Sequence, residues 1–125
     1  MAVLTDEMQR LVREQRLGYV ATVSPDGSPN VSPKGSLTVL DDQNLVFADV
    51  ESPHTVRNLI ANPRTEINVV DPYSRRGFRF RGKGAVLHAG VEYWKVLEMY
   101  REEGADIRRS LEENCADDRY QREQL

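Results

Sequence analysis

The chain has 125 residues, 39% of them hydrophobic and 30% charged, and 17 Lys and Arg against 20 Asp and Glu leave a formal charge of -3. One domain burying roughly 65–70% of its unfolded surface fits that length, and two independent domains do not. The acidic balance excludes wholesale phosphate-backbone binding, so nucleic acid is not an expected partner. Cys115 is the sole cysteine and has no partner for a disulfide or a zinc pattern, which points to a reducing, cytoplasmic setting. Asp6 and Glu7 stand where an export leader needs basic and then apolar residues, and no apolar run approaches the roughly 20 residues of a membrane span. A soluble protein without a membrane partner is expected. A drug-sized ligand needs a pocket of roughly 300–1,000 Å³, so a core this small favours a shallow cleft completed by a second copy.

Thr5 in N-cap position, Asp6 and Glu7 behind it, and Met8, Leu11 and Val12 on one face predict a short amphipathic helix over residues 5–15. Leu17 to Val23 has the composition of a strand, and Ser24-Pro25-Asp26-Gly27 has that of a turn. The second strand starts at Asn30, and a bulge or sheet corner is expected at Ser32-Pro33-Lys34-Gly35, because proline cannot donate to a ladder. Leu37 to Leu40 resumes the strand, residues 41–44 turn it, and Leu45 to Val50 returns. Ser52-Pro53 marks a helix start, with the helix covering 53–61 until Asn62-Pro63 stops it. Strands follow at Thr65 to Val70 and Phe78 to His88. Helical spacing of Tyr93, Leu97 and Tyr100 resumes after Gly90, Gly104 interrupts it, and a charged helix fraying toward Leu125 is expected from Ala105 on. Strands joined by short turns predict a mainly β protein, a small antiparallel barrel with peripheral helices.

No familiar catalytic set is present. His54 and His88 form no HxH or HExxH pattern, the adjacent acid pairs diverge on a strand or helix, and no metal site is expected. One constellation stands out: Arg75, Arg76, Arg79, Arg81 and Lys83 lie within nine residues. Period-two alternation sets Arg79, Arg81 and Lys83 on one face of a strand, with Phe78 and Phe80 on the other. The stripe is either a solvated strand whose cations discourage edge pairing or an anion site of guanidinium groups. The helix start at Ser52, with His54, Thr55 and Arg57 in its first turn, is a second anion candidate. A third element is Ser32-Pro33-Lys34-Gly35-Ser36, where an exposed lysine between hydroxyls stands beside a glycine that lets a flat ligand approach the backbone.

The succession GYVATVSPDGSPNVSPKGS, NLVFADVESPHTVRNLIANPRTEINV and GFRFRGKGAVL, over about residues 10 to 100, resembles the pyridoxamine 5'-phosphate oxidase-like family of flavin-binding split barrels. The resemblance implies a six-stranded antiparallel Greek-key split barrel with peripheral helices, dimeric, with FMN at the interface. By position it implies that Ser32, Pro33, Lys34, Gly35 and Ser36 line the isoalloxazine and that Phe47 and Ala48 flank it. It sets Ser52 and His54 near the phosphate, and Arg79 and Arg81 on the late strand that adds basic contacts. Residues 1–104 would form the FMN-binding domain and 105–125 a charged tail. This chain has Pro53-His54 where the oxidases carry an Arg-Lys pair, Ser32 where they carry arginine and Gly77 where they carry glutamine. The expectation is an FMN-dependent oxidoreductase, a homodimer acting on a small-molecule substrate. The alternatives are a deazaflavin-dependent reductase on the same fold and a flavin-binding or storage module that turns nothing over.

Overall fold

The computed structural model describes residues 3–48 and 53–103. Within them the chain runs α1 (Asp6–Gln15), β1 (Gly18–Val23), β2 (Pro29–Lys34), β3 (Thr38–Val39), β4 (Leu45–Val46), α2 (Pro53–Ala61), β5 (Arg64–Val70), β6 (Gly77–Lys83) and α3 (Val91–Glu103). Six strands form as expected, but in two pieces: an antiparallel sheet in the order β2-β1-β5-β6, and a separate β3-β4 ribbon. The described strands therefore do not close into one six-stranded ladder. The described residues divide into two units, 3–48 with 53–86, and 87–103.

The first unit holds the sheet. Thr5 caps α1 by accepting the Met8 N–H at 3.3 Å, and the helix ends at Arg16 in a left-handed conformation, φ 54°. Its apolar face supplies Val12, fully buried, and the flanking Met8 and Leu11. That face meets Val20 from β1, Leu37 and Val39 around β3, and Ile67 and Val69 from β5 in one core. Alternation accounts for these strand positions, because Gly18, Val20 and Thr22 face inward while Tyr19, Ala21 and Val23 face out. Gly18 is required by close approach: a methyl group there would meet the Leu37 side chain.

Three expectations need correction. Pro33 does not break β2, which pairs residue for residue with β1 through Pro33↔Tyr19 to Gly18↔Lys34. The strand lies at the sheet edge, where a missing N–H costs no ladder bond, and the chain turns only after Lys34. β4 ends at Val46 rather than Val50, leaving Phe47 and Ala48 outside any strand, and residues 49–50 lie outside the described residues. β6 stops at Lys83 rather than His88, since its partner β5 begins at Arg64, opposite Lys83. A methyl group on the next residue, Gly84, would crowd Leu59 of α2 at 2.9 Å.

The second unit consists, where described, of residues 87–89, the Gly90 turn at φ 99° and α3. On α3 the Tyr93 and Trp94 rings meet edge to face, with centroids 5.9 Å apart. Ser52 and the tail from 105 onward fall outside the described residues.

Candidate functional site

The two ends of β2 carry different chemistry. At its C-terminal end Lys34 faces inward opposite Gly18 and is only 6% exposed, so the expected exposed lysine is buried. The register explains this, because β2 continues unbroken to Lys34 and alternation sets that position on the inner face. The ammonium lies 5.7 Å from the centre of the Phe47 ring, a cation–π distance. Ser36 is also buried. Its hydroxyl accepts the Ala48 N–H and donates to the Ala48 carbonyl, each at 2.9 Å, and so ties the chain beyond β2 to the chain beyond β4. Gly35 between them is exposed, with open space where a side chain would stand, which suits the approach of a flat ligand. Ser32 is half-buried on the inner face and Pro33 is exposed on the outer one. Lys34, Ser36, Phe47 and Ala48 thus come together at this end of β2.

The other end, about 17 Å away at roughly 3.4 Å per residue, is the β1-β2 turn. It faces the first turns of α2 across an open depression of about 390 Å³, lined by Ser24, Pro25, Asp26, Ser28, His54, Arg57 and Asn58. The turn closes through Ser24 N–H to Ser28 carbonyl at 2.9 Å, with Gly27 at φ 88°. Asn58, 3% exposed, anchors α2 by donating to Thr22 Oγ1 at 3.0 Å, and its amide lies 3.5 Å from Ser24 Oγ. Asp26 accepts the Ser28 N–H at 3.0 Å, and that bond, helped by the Ser28 hydroxyl, holds its carboxyl below the usual aspartate range. His54 and Arg57, three residues apart on one helix face, are exposed.

Arg79 and Arg81 project from the outer face of β6, as alternation required, while Phe78 and Phe80 turn inward. Both arginines are committed to one carboxylate: Arg81 Nε lies 2.8 Å and Arg79 Nε 3.8 Å from Glu66 of β5. Glu66 was missed in the sequence. Its signal was present, since an acid midway along β5 faces the cations wherever those two strands pair in this register. The Ser24–Ser28 wall of the depression was missed as well, and only the tertiary placement of α2 reveals it. Among the described residues no three His, Cys, Asp or Glu side chains gather as a metal site, and no helix is long and apolar enough to cross a membrane.

The first unit is thus a mainly antiparallel sheet with flanking helices, with the buried Lys34 beside Phe47 at one end of its edge strand and an open polar depression at the other. Comparison with known proteins supplies the family. The family model for pyridoxamine 5'-phosphate oxidase matches residues 4–116, and the chain belongs to that family. Among solved structures, Group A Streptococcus HupZ is 30% identical, with a TM-score of 0.74 and 82% of each chain covered. An F420 reductase is 28% identical, with a TM-score of 0.58 over 66% of this chain and 65% of the other. HutZ, the heme storage protein of Vibrio cholerae, shares the fold at 23% identity and a TM-score of 0.67, over 86% of this chain and 80% of its own. The Methanocaldococcus jannaschii protein MJ0282 is 29% identical over 97 residues, 76% of this chain, and the match spans 63% of that relative's length.

Proposed function

We propose that this protein is an FMN-binding oxidoreductase of the pyridoxamine 5'-phosphate oxidase family, cytoplasmic, with its sheet completed as a split barrel and its flavin held at a homodimer interface. The observation that carries the reading is the pairing of two unlike ends along β2. An open glycine beside the Lys34–Phe47 pair suits a flat ring, and a depression with His54 on its rim suits a phosphate. When bound, the flavin supplies the redox chemistry, and the protein supplies orientation, electrostatics and exclusion of water.

In this reading Lys34 lends positive charge to the N1 and C2-carbonyl side of the ring, and Phe47 keeps that charge in an apolar setting. Ser36 and Ala48, hydrogen-bonded to each other, shape the wall rather than contact the ligand through the serine hydroxyl. Gly35 admits the ring to the backbone, with Ser32 and Pro33 along the approach. His54, with Ser52 preceding it in sequence, serves the phosphate. Arg79 and Arg81 face Glu66 through their Nε atoms, and that carboxylate competes with a phosphate for both side chains.

The homodimer is supported by the outer face of the sheet. Tyr19 is 45% exposed, Val31 63% and Val23 36%, beside the exposed Pro29 and Pro33. Contiguous apolar surface of this kind marks an interaction site. A deazaflavin cofactor is the second reading, favoured by the likeness to an F420 reductase. Parallel titration with FMN and the deazaflavin coenzyme, followed by addition of NADH or NADPH, tests both. Tighter binding of FMN with turnover of a nicotinamide nucleotide is expected. Tighter deazaflavin binding would replace the cofactor, and binding without turnover would make the protein a storage or sensing module.

A further inference from the structure

We infer that Arg57 and Ser24 form a phosphate-selective subsite in the depression between the β1-β2 turn and α2, and that Asp26 sets how much negative charge it accepts. The inference deepens the flavin reading and rests on it for the identity of the natural ligand, a phosphate monoester. It does not rest on it for the site itself.

Arg79 and Arg81 of the β6 stripe are already shared with Glu66, whereas no acid pairs with Arg57 among the described residues. Arg57 lines the same depression as His54, and the guanidinium is the residue type suited to holding a phosphate by two parallel charge-assisted bonds. Opposite it, Ser24 Oγ lies 3.5 Å from the Asn58 amide, which points a donor at it. Ser24 and Arg57 line the same depression, so a hydroxyl and a guanidinium border one space. Asn58 is buried and bonded to Thr22, so the spacing between the helix and the turn is fixed before any ligand arrives. Asp26, ionised at neutral pH and held by its own turn through Ser28, adds one negative charge at the rim. Arg57 outweighs it only for a ligand bonded directly to the guanidinium. The subsite therefore discriminates by contact, not by bulk attraction of anions.

The probe is inorganic phosphate, followed by the NMR shifts of the Ser24, Ser28, His54 and Arg57 amides and of the Arg57 Nε–H, with FMN and riboflavin titrated in parallel. Saturable shifts confined to these residues are expected. Arg57→Ala should weaken phosphate and FMN binding about tenfold or more, the equivalent of one charged hydrogen bond, and leave riboflavin unchanged. Asp26→Asn, which keeps the turn-forming side chain, should tighten both phosphorylated ligands. Arg64→Ala, a change of an exposed cation on β5, should alter none. Absence of phosphate-dependent shifts at these residues overturns the subsite whatever the flavins do, as does an Arg57→Ala protein with unchanged phosphate affinity. Phosphate shifts in a protein that binds neither flavin keep the subsite and overturn the FMN reading instead.

Discussion

The charge of the β6 stripe is defined by one residue on its neighbour. Five cations within nine residues look like an anion site in isolation, but Glu66 lies opposite Arg81 in the β5-β6 register and accepts from it at 2.8 Å, with Arg79 at 3.8 Å on its other oxygen. These groups are largely exposed, so the cluster contributes no more than about 1 kcal/mol to stability. Its consequence is for binding. Replacing Arg79 and Arg81 together by alanine should change the FMN dissociation constant by no more than about 0.5 kcal/mol, as for a surface change away from the site. Loss of two direct phosphate contacts would cost about 2–4 kcal/mol, and isothermal titration separates the two results. Lys34 shows the converse. The residue expected to stand free at a strand break is buried over Phe47, because β2 runs on through Pro33 and its alternation sets position 34 on the inner face.

At the scale of elements, most of the chain was legible. Caps, turns and period-two alternation placed α1, β1, α2 and β5 within a residue or two, because each is signalled locally. The misplaced ends share a cause. Whether Pro33 breaks β2 depends on β2 being an edge strand, and where β6 stops depends on the length of β5. Neither property exists until the sheet is assembled. The β5-β6 connection was legible as a loop but not as an ordered one: Asp71 accepts the Tyr73 N–H at 2.9 Å, and Arg75, φ 61°, donates its N–H to the Asp71 carbonyl at 2.8 Å. The Tyr73 N–H bond is the leading reason the Asp71 carboxyl lies below the usual aspartate range, so folding favours the ionised form. The stabilisation is present above the ordinary aspartate value and is lost as pH falls through the lowered folded one. Asp71→Ala should therefore be less stable than the parent in urea at neutral pH, and the difference should vanish in acid. An equal difference at both pH values would show that the carboxylate's charge is not what orders the turn.

For the whole molecule, the opening expectation was a small core whose ligand site needs a second copy. In the first unit the depression is open, and the outer face of the sheet exposes Tyr19, Val23 and Val31. Val31→Glu places a charge in the middle of that face without touching the core. Light scattering after gel filtration should show a dimer for the parent and a monomer for the variant, with cofactor retention falling alongside. A variant that stays dimeric assigns the interface elsewhere. The cofactor is the central claim, and the visible spectrum of the protein, isolated and then incubated with FMN and passed through gel filtration, tests it most directly. Flavin absorption that travels with the folded protein, near one FMN per protomer, is the predicted result. Folded protein that leaves all FMN in the small-molecule fraction, or that carries a haem Soret band in place of flavin, would contradict it.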